Sequence, residues 1–295
     1  MKVLNIGSLN LDHVYNVDHI LMPGETESSS SLNHFLGGKG MNQSTALAKA
    51  GVEVYHGGMI GQDGQPFLDA CKEYGIHDDY LKQIPGETGH TIIQIDRNAQ
   101  NCILLFGGAN QKLTKEYIDE TLSHFDAGDI LLLQNEVNLL PYIVDAAYAR
   151  GMQIALNPSP YDEKLDAVDM TKISIFLLNE VEGNQITGKT EPEDILAGMR
   201  QRFPHAKIVL TLGSDGAIYQ DEHQKLFQPI FKVQAVDTTA AGDTFTGYFL
   251  AGLAEGMDMA EVLRMSAKAA SIAVTRPGAA PSIPYRREVL DALAQ

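Results

Sequence analysis

The chain has 295 residues, 44% of them hydrophobic, which suffices for a buried core and is too many for a disordered chain. Thirty-eight acidic residues against 22 basic ones give a net charge of −16, a surface that repels a polyphosphate backbone and argues against nucleic-acid binding. No apolar run approaches the roughly 18 residues of a membrane helix, and the first few residues read as a strand rather than a signal peptide, so a cytoplasmic protein off the membrane is expected.

Residues 3–6 read as a buried strand that ends at Gly7-Ser8. Residues 9–36 hold strand-like stretches and turn residues but no helical period, and 41–50 predicts a helix closed by Gly51. Residues 91–96 and 101–106 predict a hairpin across 97–100. After Gly108 strands and helices alternate. Strands are expected at 130–133, 153–156, 173–178 and 207–212, and a short hairpin begins at 217–220. Helices are expected at 139–150, from about 180, at 241–255 and at 259–275. Continuous apolar strands between helices imply a mostly parallel sheet covered on both faces, with ligands at the carboxyl ends of the strands. The two irregular blocks, about 12–36 and 84–106, are candidates for a small β-sheet lid. Cys71 falls in a helical pattern and Cys102 in a strand pattern; both are expected as buried thiols.

The most informative stretch is Asp237-Thr238-Thr239-Ala240-Ala241-Gly242-Asp243, where a strand-like segment opens into a long helix. Ala240, Ala241 and Gly242 are small enough for a ligand to approach the backbone. Their amides, with that of Asp243, lie in a helical first turn and favour an anion. Asp243 beside them either accepts a proton from an attacking hydroxyl or merely decorates the helix N-terminus.

A second motif, Gly37-Gly38-Lys39-Gly40-Met41-Asn42-Gln43, opens the first helix. Its glycines allow close passage of a polyol, Lys39 donates, and Asn42 both donates and accepts. It lacks the spacing and the Ser/Thr of a nucleotide phosphate loop. Gly7-Ser8-Leu9-Asn10-Leu11-Asp12 ends the first strand with a carboxylate that suits sugar hydroxyls or an Asx turn. Glu136 follows another buried strand and alone reads equally as a loop acid. Asn179-Glu180-Val181-Glu182 by itself reads as a helix cap, and Thr211-Leu212-Gly213-Ser214-Asp215-Gly216 as a glycine turn.

Together, from Gly7 to Ser282 and in family order, these motifs resemble the signatures of the ribokinase-like (PfkB) carbohydrate kinases. The resemblance implies a single three-layer α/β/α, doubly wound domain over 1–295 with a small β-sheet lid. It implies an ATP-dependent kinase for the primary hydroxyl of a pentose, D-ribose first, with fructose, deoxyribose, a nucleoside or a non-catalytic sugar-binding regulator as alternatives. By carry-over, Asp243 is the catalytic base and Ala240, Ala241 and Gly242 supply the anion hole. Asn10, Asp12, Gly38, Lys39, Asn42, Glu136 and Asp243 contact the sugar. Asn179, Thr211, Gly213, Ser214 and Gly216 serve ATP, and Glu182 serves Mg²⁺, partly through water. Asp237, Thr239, Ala273, Gly278 and Ser282 are implied around K⁺, and a homodimer through the lid is implied as well. Thr91, Asn135 and Met41 depart from the family pattern around the sugar. A dinucleotide oxidoreductase is disfavoured, because no G-x-G-x-x-G follows the first strand.

Overall fold

The computed structural model describes residues 1–98 and 100–295. Its larger sheet takes nine strands: β1 (Val3–Ile6), β4 (Val54–Ile60), β5 (His77–Gln83), β8 (Ile130–Gln134), β9 (Gln153–Asn157), β10 (Ile175–Asn179), β11 (Lys207–Thr211), β12 (Ala217–Gln220) and β13 (Lys225–Gln228). Their order is β13-β12-β11-β10-β9-β8-β1-β4-β5, parallel throughout except for β12 and β13. The mostly parallel sheet expected from the alternating pattern is therefore present.

Alternation along the strands builds two cores. Val3, Val54, Ile130, Leu132, Ile175, Leu177 and Val209 face one layer of helices: α1 (Lys39–Lys49), α2 (Gln65–Tyr74), α7 (Ala241–Ala254), α8 (Met259–Ala273) and α9 (Arg286–Leu293). Leu4, Ile6, Leu131, Leu133, Phe176, Leu178 and Ile208 face the other: α3 (Lys115–Leu122), α4 (Leu140–Ala149), α5 (Glu180–Thr187) and α6 (Pro192–Arg202). Strands buried on both faces cannot alternate apolar with polar, which is why they read as continuous apolar runs. Each such side chain removed from water contributes about 1.5–3 kcal/mol.

Four further strands make a separate sheet in the order β3-β2-β6-β7: β2 (Asn10–Asn16), β3 (Ser31–Gly37), β6 (Gly89–Ile95) and β7 (Asn101–Phe106). β6 and β7 are the predicted hairpin; of its turn, Ala99 lies outside the described residues. Cys71 is buried as expected, but Cys102 is exposed. The reason is that β7 is an edge strand whose six residues are all exposed, so an apolar strand pattern there does not mean burial. No helix among the described residues is long and apolar enough to cross a membrane.

The strand order also fixes where a site forms. The chain leaves β1 for β4 and β5 on one side, and returns to β8 and β9 on the other. The crevice at such a reversal, beyond the carboxyl ends of the strands, is where open α/β sheets bind ligands. β1 ends there at Gly7-Ser8 and β8 ends just before Glu136. Across the layer, α7 presses directly on α1 at Gly247, where an added Cβ would stand 2.3 Å from the Ala46 Cβ. That close approach sets the N-termini of α1 and α7 side by side.

Candidate active site

The N-terminus of α1 is anchored on the end of β1. Met41 N–H donates to the Ser8 carbonyl (3.0 Å), and Gly40 N–H to Ser8 Oγ (3.3 Å). Gly38 has φ 90°, and a Cβ there would lie 2.8 Å from the Ser8 carbonyl oxygen, so only glycine fits. Ser8 Oγ also donates to Glu136 Oε2, which in addition accepts from Lys39 N–H (3.1 Å). Three distant sequence motifs thereby meet at one point.

Asn42 and Gln43 then reach α7. Asn42 Nδ2 donates to Asp243 Oδ2 (3.0 Å), and Gln43 Nε2 to Asp243 Oδ1 (2.9 Å). Asn42 Oδ1 is buried with no protein partner, an acceptor free to receive a ligand hydroxyl. Gly242 has open space where a Cβ would stand. The amide of Ala241 already donates to the Thr238 carbonyl (3.2 Å), so the anion-binding turn is narrower than the sequence implies.

On the second sheet Asp12 and Thr91 are register partners, and Thr91 Oγ1 donates to Asp12 Oδ1 (2.6 Å). Asn10 Oδ1 accepts from Asn110 Nδ2 (2.8 Å), and Asn110 also bonds both main-chain groups of Leu9 (3.0 and 3.1 Å). Of the three departures from the family pattern, only Thr91 touches a site residue. Asn135 Nδ2 binds Pro160 O (2.7 Å) and Asp162 Oδ1 (2.9 Å), and Met41 is fully buried in the core.

Lys39, Glu182, Thr211, Thr239, Gly242 and Asp243 line a cleft of about 110 Å³. Asn179 caps α5 by accepting from Val181 N–H (2.8 Å) and Glu182 N–H (3.0 Å), while Glu182 accepts from Asn179 N–H (2.8 Å) and Nδ2 (3.1 Å). The cap and the cleft acid are thus the same pair. Thr211 reaches the cleft; Gly213, Ser214 and Gly216 form the turn between β11 and β12. Asp237 Oδ1 accepts from Thr239 N–H (2.9 Å) and Oγ1 (2.5 Å), and its Oδ2 from Gly278 N–H (2.9 Å). Ser282 is buried, with its Oγ donating to Ala279 O (2.8 Å), and Ala273 O accepts from Arg276 N–H (3.0 Å). A larger cavity of about 380 Å³, lined by Tyr161, Asp169 and Arg202 among others, contains none of the motif residues.

Burial would push the Lys39 ammonium down, but the carboxylates of Asp243, Glu136 and Glu182 outweigh it and hold it above its ordinary range. Burial raises Glu136 and Asp12 above the usual carboxylate values, against opposing bonds from Lys39 and Ser8 in one case and Thr91 in the other. Beneath the site His56 is wholly buried, with Nδ1 2.8 Å from Ser44 Oγ and Nε2 3.3 Å from Gly7 O. Burial pushes it down to about 4.

A carboxylate held by two amides, beside a helix N-terminus and a set of hydrogen-bonding side chains, is suited to proton removal from an alcohol as it attacks an anion. The sequence pattern of the pfkB family carbohydrate kinases matches residues 1–286. The chain belongs to this family. Within the pfkB carbohydrate kinases, it is 34% identical over 297 residues to a ribokinase of Haemophilus influenzae, spanning 98% of this chain and 97% of that one. It is 29% identical to a deoxyribokinase of Salmonella typhi, over 96% of each. Among solved pfkB-like structures, Arabidopsis thaliana ribokinase complexed with ribose and ATP superposes with a TM-score of 0.88 at 31% identity, covering 99% of this chain and 98% of that one.

Asn5, Gln43, Gln134 and Asn110 carry no role that the sequence patterns point to. All are fully or almost fully buried polar groups. Asn5 inside the apolar run of β1 and Gln134 at the end of β8 were the available signals, since buried amides need partners.

His56 also carries a pH prediction. Its folded-state value lies below its unfolded one, so the unfolded chain binds the extra proton between about pH 6.5 and 4, and stability falls as pH drops through that window. In urea titrations from pH 7.5 to pH 5, a His56→Gln variant should lose about 2 kcal/mol less stability than the parent chain. Equal losses in both would show that His56 charges freely in the fold.

Proposed function

We propose that this pfkB-family carbohydrate kinase transfers the γ-phosphoryl group of ATP to the primary hydroxyl of D-ribose, with Asp243 as the base. The observation that carries this reading is the doubly bonded Asp243 carboxylate, next to Asn42, with open space beside Gly242. The ribokinase relatives support ribose as the sugar.

In this reading Asn10, Asp12, Gly38, Lys39, Asn42 and Glu136 orient the sugar. Asp243 accepts the proton of the attacking hydroxyl as its oxygen bonds to the γ-phosphorus. The bond from that phosphorus to the β–γ bridging oxygen breaks, and ADP leaves. The first turn of α7, at Ala240, Gly242 and Asp243, faces the charge that develops on the phosphoryl oxygens, while the Ala241 amide, bonded to Thr238, contributes only to the shape of the turn. Thr211, Asn179 and the turn of Gly213, Ser214 and Gly216 serve the nucleotide. Both Glu182 oxygens already accept from Asn179, so Glu182 would hold Mg²⁺ through water, an arrangement that suits an ion reluctant to dehydrate. When bound, the ion neutralises phosphate charge.

Hard oxygen donors at Asp237, Thr239, Ala273, Gly278 and Ser282 fit K⁺, and Asp237 ties the two segments together. A second reading, a 2-deoxy pentose, is favoured by Thr91, which occupies one oxygen of Asp12. The second sheet acts as a lid that excludes water on closing, and the reaction belongs in the cytoplasm, where ATP is made available. Exposed Leu104, Phe106, Ile103 and Leu105 on edge strand β7 favour a second copy of this chain as the cover for that sheet.

ADP formation across a panel of ribose, 2-deoxyribose, fructose and nucleosides should be fastest with ribose in potassium and drop when a large organic cation replaces it. A different preferred acceptor overturns ribose; cation-independent turnover overturns the K⁺ site. Asp243→Asn should lower kcat by about 10²–10⁴ with sugar binding largely kept. Near-normal turnover removes Asp243 from its role. Sedimentation should give a dimer that Leu104→Glu dissociates, whereas a monomeric parent chain would refute the lid interface.

A further inference from the structure

Behind Asp243 runs a chain of buried amides that ends at His56. Gln43 Nε2 donates to Asp243 Oδ1 (2.9 Å), and Gln134 Nε2 donates to Gln43 Oε1 (2.7 Å). The same Gln134 nitrogen donates to Asn5 Oδ1 (3.0 Å), and Asn5 Nδ2 donates to Ser44 Oγ (2.9 Å) and Gly40 O (2.8 Å). Ser44 Oγ meets His56 Nδ1 at 2.8 Å. Asn5, Gln43, Ser44, His56 and Gln134 are all 0% exposed.

Donor and acceptor chemistry leaves this chain one polarity. An amide side chain can rotate and exchange its oxygen for its nitrogen, and only its partners decide which way it lies. A reversed Gln43 would set its oxygen against the Asp243 carboxylate, acceptor against acceptor. Gln134 prevents this, because its NH₂ group faces Gln43 Oε1. Both protons of that NH₂ are used, one on Gln43 and one on Asn5. The cost is visible: Gln134 Oε1 is buried with no partner. At the far end, Ser44 accepts from Asn5 and so must give its own proton to Nδ1 of a neutral His56. Burial alone keeps that imidazole uncharged.

We propose that Gln43, with its orientation set by Gln134, is a positioning residue that aims the Asp243 carboxylate at the substrate hydroxyl. The inference rests on the reading of Asp243 as the base. Gln43 is too deeply buried to touch the sugar, so it acts only through Asp243. Asn42 holds the other oxygen, and the two amides together leave the carboxylate no freedom to rotate. A nucleophile fixed by its substrate contacts needs a base fixed as well, since misplacement by about 1 Å costs on the order of 10²-fold in rate.

The test is a set of single-turnover rates against pH for Gln43→Met, Gln134→Met, Asp243→Asn and the double variant Gln43→Met/Asp243→Asn. Gln43→Met should slow phosphoryl transfer about 10–100-fold. Sugar affinity by calorimetry should stay within about two-fold, and the acidic limb of the rate profile should move up as the carboxylate loses a donor. Gln134→Met should do the same to a smaller extent without touching Asp243. Lys39 and Glu136, the charged groups that also face Asp243, are unaltered in these variants. In the Asp243→Asn background the Gln43 change should add nothing. A merely structural glutamine would lower stability but leave the limb in place and slow the Asp243→Asn protein further. Either result overturns the proposal. If Gln43→Met does not fold, Gln43→Glu keeps its volume and the acceptor for Gln134 while adding a second carboxylate; an unmoved limb there overturns the proposal too. A fast Asp243→Asn enzyme instead removes the base itself, and a slow one with a normal Gln43→Met enzyme removes only the positioning role.

Discussion

The structure of this kinase depends on one junction, where the amides of Asn42 and Gln43 grip a carboxylate 200 residues further along the chain. Neither helix could make the site alone. α1 brings the amide donors, and α7 brings the carboxylate and the open turn at Gly242. The two are held in contact by an ordinary packing constraint, the absence of a side chain at Gly247 against Ala46. The strand order does the rest. Because β1 pairs with β8, the loop leaving β1 and the loop after β8 open on the same crevice, and Ser8 and Glu136 meet there.

The junction also shows why a polar interior is tolerated beneath it. Burying amides without partners costs about 1–3 kcal/mol per group. Here nearly every group is paired, and each pairing fixes the next. Among Asn5, Gln43 and Gln134 the exception is Gln134 Oε1, left over when both protons of Gln134 are used; Asn42 Oδ1 is the other buried amide oxygen of the junction without a protein partner. An apolar replacement of the whole chain would pack as well, but it would leave Asp243 gripped from one side only. A network kept against that alternative is explained by what it does to the carboxylate.

The sequence made the central sheet legible because its strands are buried on both faces and read as unbroken apolar runs. It made Asp243, Asn42 and Lys39 legible because each sits near a helix start in a glycine-rich or small-residue setting, whereas Glu136 alone read equally as a loop acid and stood out only through the family resemblance. It failed where composition and position disagree. β5 is a polar edge strand, His77–Gln83, and only its pairing with β4 makes it a strand at all. Cys102 lies in an apolar stretch of an edge with nothing over it. Gln43 and Gln134 were invisible for a different reason. A glutamine has no preferred chemistry until its partners choose its orientation, and those partners come from α1, β1, β8 and α7, four segments that no local pattern connects.

Charge balance connects the site to its cosubstrate. Lys39 is surrounded by Glu136, Glu182 and Asp243, so the cleft is locally acidic in a chain that already carries −16. A bare polyphosphate would meet repulsion at that entrance, with one ammonium to oppose it. On the proposed reading, a nucleotide that arrives with a divalent cation meets the opposite field, because Glu182 and its neighbours would attract the ion while the turn at Gly242 would accept the phosphate. On that reading the acidic cleft favours the nucleotide that carries its cation. The donors to Asp243, Asn42 and Gln43, are buried amides that stand apart from the residues lining that cleft.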